Sequence, residues 1–141
     1  MATTRRAHTV WDGNLLQGSG QVALDSSGLA TFAVSWPARA EEPNRTTSPE
    51  ELIAAAHSSC FCMALSHGLS EAGTPPVRLT ALAEVTFQPG EGITEIHLAV
   101  QGEVPGLDRD AFVKAAEHAK TNCPVSSALA GTVITLNASL A

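Results

Sequence analysis

The residues best suited to chemistry are three cysteines: Cys60 and Cys62 within AAAHSSCFCMAL, residues 54–65, and Cys123 within TNCPVSSAL. Two positions on a helix rotate a side chain by roughly 200°, so Cys60 and Cys62 point to opposite faces. They cannot bond to each other or share a ligand there. C-F-C is therefore neither a C-x-x-C redox motif nor a zinc half-site. Cys123 precedes Pro124, which pushes its backbone toward an extended conformation, and the proline suits the first position of a helical turn. A thiol at such an N-cap faces the positive end of the helix dipole, which lowers its pKa. Packing is the competing reading for all three, because free cysteine is among the most buried residue types.

His57 lies three residues before Cys60, roughly 60° round the same helix face. That spacing admits a Cys–His nucleophile pair of the thiol-hydrolase kind. The alternative is a buried imidazole hydrogen-bonded to a backbone or serine oxygen, and no Asn or Asp is evidently placed to orient it as a base. His8, His67, His97 and His118 have no zinc or iron spacing, so neither a metal site nor a cofactor is expected.

The chain that must position these groups has 141 residues, the size of one domain, and 1–141 is read as a single domain. Hydrophobic residues make up 44% and aromatic ones only 4%, so the core must be built from Ala, Val, Leu and Ile. Eight basic against 14 acidic residues give a formal charge of −6 with no basic stripe, which disfavours nucleic acid and anionic membrane as partners. No apolar run is read as approaching a membrane span of about 18–20 residues, and MATTRRAHTVWDG lacks the apolar core of a secretory signal. An odd cysteine count argues against a secreted disulfide framework. A cytoplasmic protein is expected, in which any disulfide is transient and catalytic.

Residues 7–36 read as about three short strands punctuated by Gly13, Gly18, Gly20 and D-S-S-G. PARAEEPNRTTS, 37–48, reads as an exposed loop. Ser48-Pro49-Glu50-Glu51 then opens a helix: Ser48 as N-cap, Pro49 at the first position, Glu51 at the third and reaching back to the Ser48 amide. The helix is expected to run to about Glu71, stopped by AGTPP. Its apolar residues do not keep to one stripe, which predicts burial on most sides, by a sheet and by a second subunit. Strands at 79–88 and 93–104 follow, joined by PGEG, with Leu79, Ala81, Ala83, Val85 and Phe87 on one face. Asp108 caps a helix that turns Phe112, Val113 and Ala116 inward. A short helical turn after Cys123 and a last strand, TVITLNASL, complete an α+β pattern of mostly antiparallel strands.

SPEELIAAAHSSCFCMAL followed by AKTNCPVSSAL resembles the signature pair of the OsmC/Ohr family, the osmotically inducible protein C and organic hydroperoxide resistance proteins. W-D-G at 11–13, EAGTPP and VPGLD at 104–108 are also similar to OsmC-type sequences, and the likeness spans nearly the whole chain. The resemblance implies two mostly antiparallel sheets around a long central helix, in an intertwined homodimer with active sites at the subunit interface. It implies a thiol-dependent peroxidase acting on organic hydroperoxides, and less well on hydrogen peroxide, in oxidative or osmotic stress defence. Cys60 matches the peroxidatic cysteine, Cys123 the resolving cysteine and Glu50 the active-site glutamate. Arg39 matches the OsmC-type arginine with one extra residue of spacing, and Arg45 is the alternative. The implied reductant is a dithiol, possibly of lipoyl type. Cys62, where related proteins more often carry Ser, reads as a packed bystander.

Glu50 and Cys60, ten residues apart on one helix, are separated by about 15 Å. They cannot meet within one chain, so Glu50 and its arginine are expected to serve Cys60 of a partner subunit. An apolar pocket near Cys60, with Phe61 and Met63 as neighbours, is expected to favour alkyl hydroperoxides. Two other functions fit the residues alone: a Cys60–His57 hydrolase or acyltransferase, and a redox-inert dimer that binds an apolar small molecule.

Overall fold

A computed structural model describes residues 1–141, which fall into two compact units, Met1–Leu52 and Ile53–Ala141. In the first, the glycine-punctuated N-terminal segment forms β1 (His8–Asp12), β2 (Ser19–Ala23) and β3 (Thr31–Val34), an antiparallel sheet in that order. Gly20, paired with Trp11 and Val34, is required by crowding. A Cβ there would lie 2.9 Å from both the Trp11 ring and a Val34 methyl.

The segment read as a loop from residue 37 begins instead with a short helix, α1 (Trp36–Ala40). Ser35 caps it, accepting from the Ala38 amide, and Pro37 sits in its first turn, the same signature that opens the long helix. An irregular segment with Asn44 and Arg45 at positive φ leads to a parallel bridge between Thr47 and Val34.

The long helix, α2, runs unbroken from Pro49 to Glu71. Ser48 caps it as expected, its hydroxyl accepting from the Glu51 amide at 3.2 Å. The reciprocal half of the capping box is absent, because the Glu51 carboxylate takes the Thr47 hydroxyl at 2.5 Å. By length and hydropathy this helix could reach across a bilayer, contrary to the reading that no run approaches that length. Core helices share that length and hydropathy, and α2 sends His57, Phe61, Leu65 and Leu69 into the interior of the second unit.

That interior is closed by a second sheet of order β4–β5–β6: β4 (Arg78–Gln88), β5 (Gly92–Glu103) and β6 (Val133–Leu140). The β4–β5 hairpin is antiparallel and β5–β6 parallel. The alternation read for residues 79–87 holds, with Leu79, Ala81, Ala83, Val85 and Phe87 on the more buried face. Asp108 caps α3 (Arg109–Asn122), which buries Phe112, Ala116 and Ala119, and α4 (Pro124–Ala128) follows directly.

Phe112 lies against β5 at Gly102, where a Cβ would come within 2.5 Å of two ring carbons. Gly102→Ala is therefore expected to cost about 1–3 kcal/mol through displacement of the ring. Urea unfolding of the variant checks this, as a lowered midpoint at unchanged slope.

Within one chain α2 buries a single stripe at four-residue spacing, whereas Ala55, Ala56, Ser59 and Met63 lie exposed. The first sheet is similarly uncovered: β1 is exposed throughout, and Val10 and Leu16 keep 55% and 67% of their surface.

Candidate active site

The second unit brings Cys60 and Cys123 together. Cys60 is partly accessible on α2, whereas Cys123 is fully buried at the junction of α3 and α4. Each thiol bears on the acidity of the other: Cys60 acts to favour the Cys123 thiolate, and Cys123 acts to disfavour that of Cys60. Burial, followed by Cys123, pushes Cys60 above the ordinary thiol range despite the backbone of Val125. Burial also acts to raise Cys123. It is outweighed by the Ser126 backbone, the Cys60 thiol, the Val125 backbone and the Ser126 hydroxyl, and Cys123 ends lowered. Cys123 is the N-cap residue of α4, although no side-chain cap hydrogen bond closes there.

Cys62 occupies another environment. Its neighbour is the backbone of Ala81 in β4, and burial raises its pKa. The opposed orientation expected from the helical spacing is thus realised, with Cys62 away from the other two thiols.

His57 is fully buried and directed at Ser126, its Nε2 lying 2.7 Å from the serine hydroxyl. This is the serine-bonded histidine of the sequence reading, and it removes the geometric basis for a Cys60–His57 pair. Burial lowers the imidazole pKa, so it is neutral near pH 7.

The first unit brings Arg39 to Glu50. Arg39 Nε donates to Glu50 Oε1 at 2.9 Å and Nη2 approaches the same oxygen at 2.8 Å. Both contacts fall on one carboxylate oxygen. Glu50 is 6% exposed, and its Oε2 is buried without a hydrogen-bond partner. Arg45 lies on the exposed loop at φ 62°. Glu51 is engaged by Thr47, which leaves Glu50 to the arginine.

Beside Arg39 is a recess of about 350 Å³ lined mainly by Trp11, Leu15, Val22, Trp36 and Leu52. Both of the chain's tryptophans contribute to this apolar wall. Phe61 is sealed in the core and Met63 is 71% exposed. The sequence carried one signal for this wall, in that both tryptophans lie close to the Gly-rich and arginine-bearing segments of an aromatic-poor chain. No group of three or more His, Cys, Asp or Glu side chains is arranged to hold a metal ion.

An accessible thiol set against a buried one, both in a two-sheet α+β fold with a long helix, defines a cysteine-dependent redox protein. The profile of the OsmC family, described as OsmC-like protein, matches residues 42–137. The chain is 37% identical over 132 residues to Peroxiredoxin OsmC of Escherichia coli strain K12, with 92% of each chain covered. Among solved structures it is similar to an organic hydroperoxide resistance protein OsmC from Legionella pneumophila. That similarity has a TM-score of 0.70 at 22% identity, covering 100% of this chain and 98% of that one. An OsmC-like protein of unknown function from Vibrio cholerae superposes with a TM-score of 0.75 at 18% identity, covering 97% and 99%. The chain belongs to the OsmC-like family, and it is a cysteine-based peroxidase.

Proposed function

We propose that the protein reduces organic hydroperoxides to alcohols, with Cys60 as the attacking thiol and Cys123 as the resolving thiol. The observation that carries this reading is the pairing of an accessible Cys60 with a fully buried Cys123. Of these two thiols Cys60 is the one a peroxide can reach from solvent, and Cys123 is the neighbour that closes on it in this reading.

The Cys60 thiolate attacks the distal peroxide oxygen. The O–O bond breaks, the alkoxide leaves and is protonated to the alcohol, and Cys60 becomes a sulfenic acid. Cys123 attacks that sulfur, forming the disulfide as the S–O bond breaks and hydroxide departs as water. An external dithiol regenerates both thiols by exchange.

In one chain the acidity order opposes the first step, since Cys60 is raised and Cys123 lowered. A guanidinium within hydrogen-bonding distance corrects this by stabilising the thiolate and the leaving alkoxide. Arg39, held by Glu50, is that group in this reading, and it acts on Cys60 of a partner subunit. The unbroken α2 supports this, because about 15 Å of helix separates Glu50 from Cys60 of its own chain. The exposed small-residue face of α2 and the uncovered first sheet supply the apolar surface that a second copy needs. The tryptophan-lined recess beside Arg39 accommodates an alkyl or aryl group.

Steady-state assays with a dithiol reductant test the substrate class. Cumene hydroperoxide is expected to exceed hydrogen peroxide in kcat/KM by at least about tenfold, from burial of its apolar surface. Equal values for the two would contradict the apolar-substrate reading.

A further inference from the structure

Gly20 lies on the central strand of the first sheet, where its cross-strand partners are Trp11 on β1 and Val34 on β3. Directly paired residues turn their side chains to the same face of a sheet, and alternate residues along a strand share it. Trp11 and Val34, with the neighbouring pair Thr9 and Val22, therefore belong to one face. All four line the recess that Arg39 borders. Among them Gly20 alone offers no side chain.

The space above that glycine is taken by its neighbours. A Cβ on Gly20 would lie 2.9 Å from the ring carbon Cε3 of Trp11 and 2.9 Å from Val34 Cγ2. The indole thus rests on the glycine backbone. Its other edge is tied, because Nε1–H donates to the Gly13 carbonyl oxygen at 3.0 Å. A rigid ring held at one edge does not yield to a new methyl as the end of a flexible side chain would. It tips away from the strand, and the methyl and the lifted ring both take space from the recess.

Arg39 indicates what the recess holds. In the cycle proposed above, its guanidinium stabilises the leaving alkoxide. The carbon skeleton bonded to that oxygen then lies against Arg39, and the apolar surface there is this recess of about 350 Å³. An indole face offers an aryl group the flat area that offset stacking needs.

We propose that Gly20 and Trp11 are specificity-determining residues for the organic group of the hydroperoxide. Trp11 is the surface on which a broad aryl or branched alkyl group rests, and Gly20 keeps that surface low enough to admit it. Resting on the peroxidase cycle proposed above, this makes size selection the property of a residue without a side chain.

The ratio of kcat/KM for cumene hydroperoxide to that for hydrogen peroxide reads the effect, since hydrogen peroxide has no organic group to place on the ring. In Gly20→Ala the ratio is expected to fall at least about tenfold, the usual weight of one misfitted carbon in an apolar pocket. The fall should come chiefly through a higher KM for cumene hydroperoxide. tert-Butyl hydroperoxide, with its smaller group, should lose less.

An unchanged ratio in Gly20→Ala, whether both values hold or both fall together, overturns the inference and leaves the peroxidase reading intact. A wild-type protein without preference for cumene hydroperoxide removes the apolar-substrate reading and this inference with it. Should Gly20→Ala fail to fold, Trp11→Ala decides alone. Loss of the ring is expected to lower the ratio at least about tenfold, and an unchanged ratio overturns the inference.

Discussion

Cys60→Ser is expected to lose at least about a thousand-fold in hydroperoxide turnover, because an alcohol at neutral pH has almost no nucleophilic anion to offer. Cys123→Ser is expected to behave differently. It should consume about one equivalent of hydroperoxide per site at the wild-type rate and then slow, since the sulfenic acid has no resolving partner. The contrast follows from burial, because Cys123 is sealed in the core and cannot replace Cys60 as attacker. Stopped-flow oxidation and steady-state assays of both variants check it. A Cys123→Ser protein that loses the first oxidation as completely as Cys60→Ser would contradict the assignment of roles.

Arg39→Ala is expected to lower kcat/KM about 10²- to 10³-fold at pH 7, the usual cost of removing one charge-stabilising donor. The sign of its pH dependence follows from the shift of Cys60. Burial and the Cys123 contact already hold that thiol above the ordinary range. Without the guanidinium its thiolate forms only at still higher pH. The deficit should therefore be largest near pH 6 and narrow toward pH 9. Glu50→Gln should give a smaller loss, because the arginine remains but is no longer held by charge. Mixed dimers add a geometric test. Subunits carrying only Arg39→Ala and subunits carrying only Cys60→Ser are each at least about a hundred-fold impaired as homodimers. If Arg39 acts across the interface, mixing them builds one site with both defects and one intact site. Activity should return to about half the wild-type value per mixed dimer. If Arg39 serves its own chain, mixing restores nothing.

Where local chemistry decides an element, the residues declared it. Ser48-Pro49 fixed the start of α2, AGTPP its end, and the alternation of residues 79–88 the buried face of β4. The same cap signature at Ser35-Trp36-Pro37 opens α1 within a segment whose two prolines and acidic pair read as a loop. The parallel pairing of β5 with β6 is not encoded in either strand, since alternation fixes faces and not partners. For the same reason Phe61 was misplaced at the pocket. A helix apolar on many sides does not reveal which side the core takes, and the core took Phe61.

The thiols and Glu50 were legible from their sequence contexts. The partner of Glu50 was not fixed by spacing, which admitted both Arg39 and Arg45, and it emerged only with α1 and the turn through Asn44–Arg45. The His57–Ser126 contact joins α2 to α4 through tertiary packing, a relation that no local pattern carries.

The central claim is that Cys60 and Cys123 form one redox unit, and one measurement addresses it most directly. Reduced protein is treated with one equivalent of cumene hydroperoxide, free thiols are counted, and any disulfide is mapped by mass spectrometry of non-reduced peptides. The account predicts the loss of two thiols per chain, a Cys60–Cys123 linkage and a free Cys62. Survival of all three thiols, or a linkage through Cys62, would contradict it.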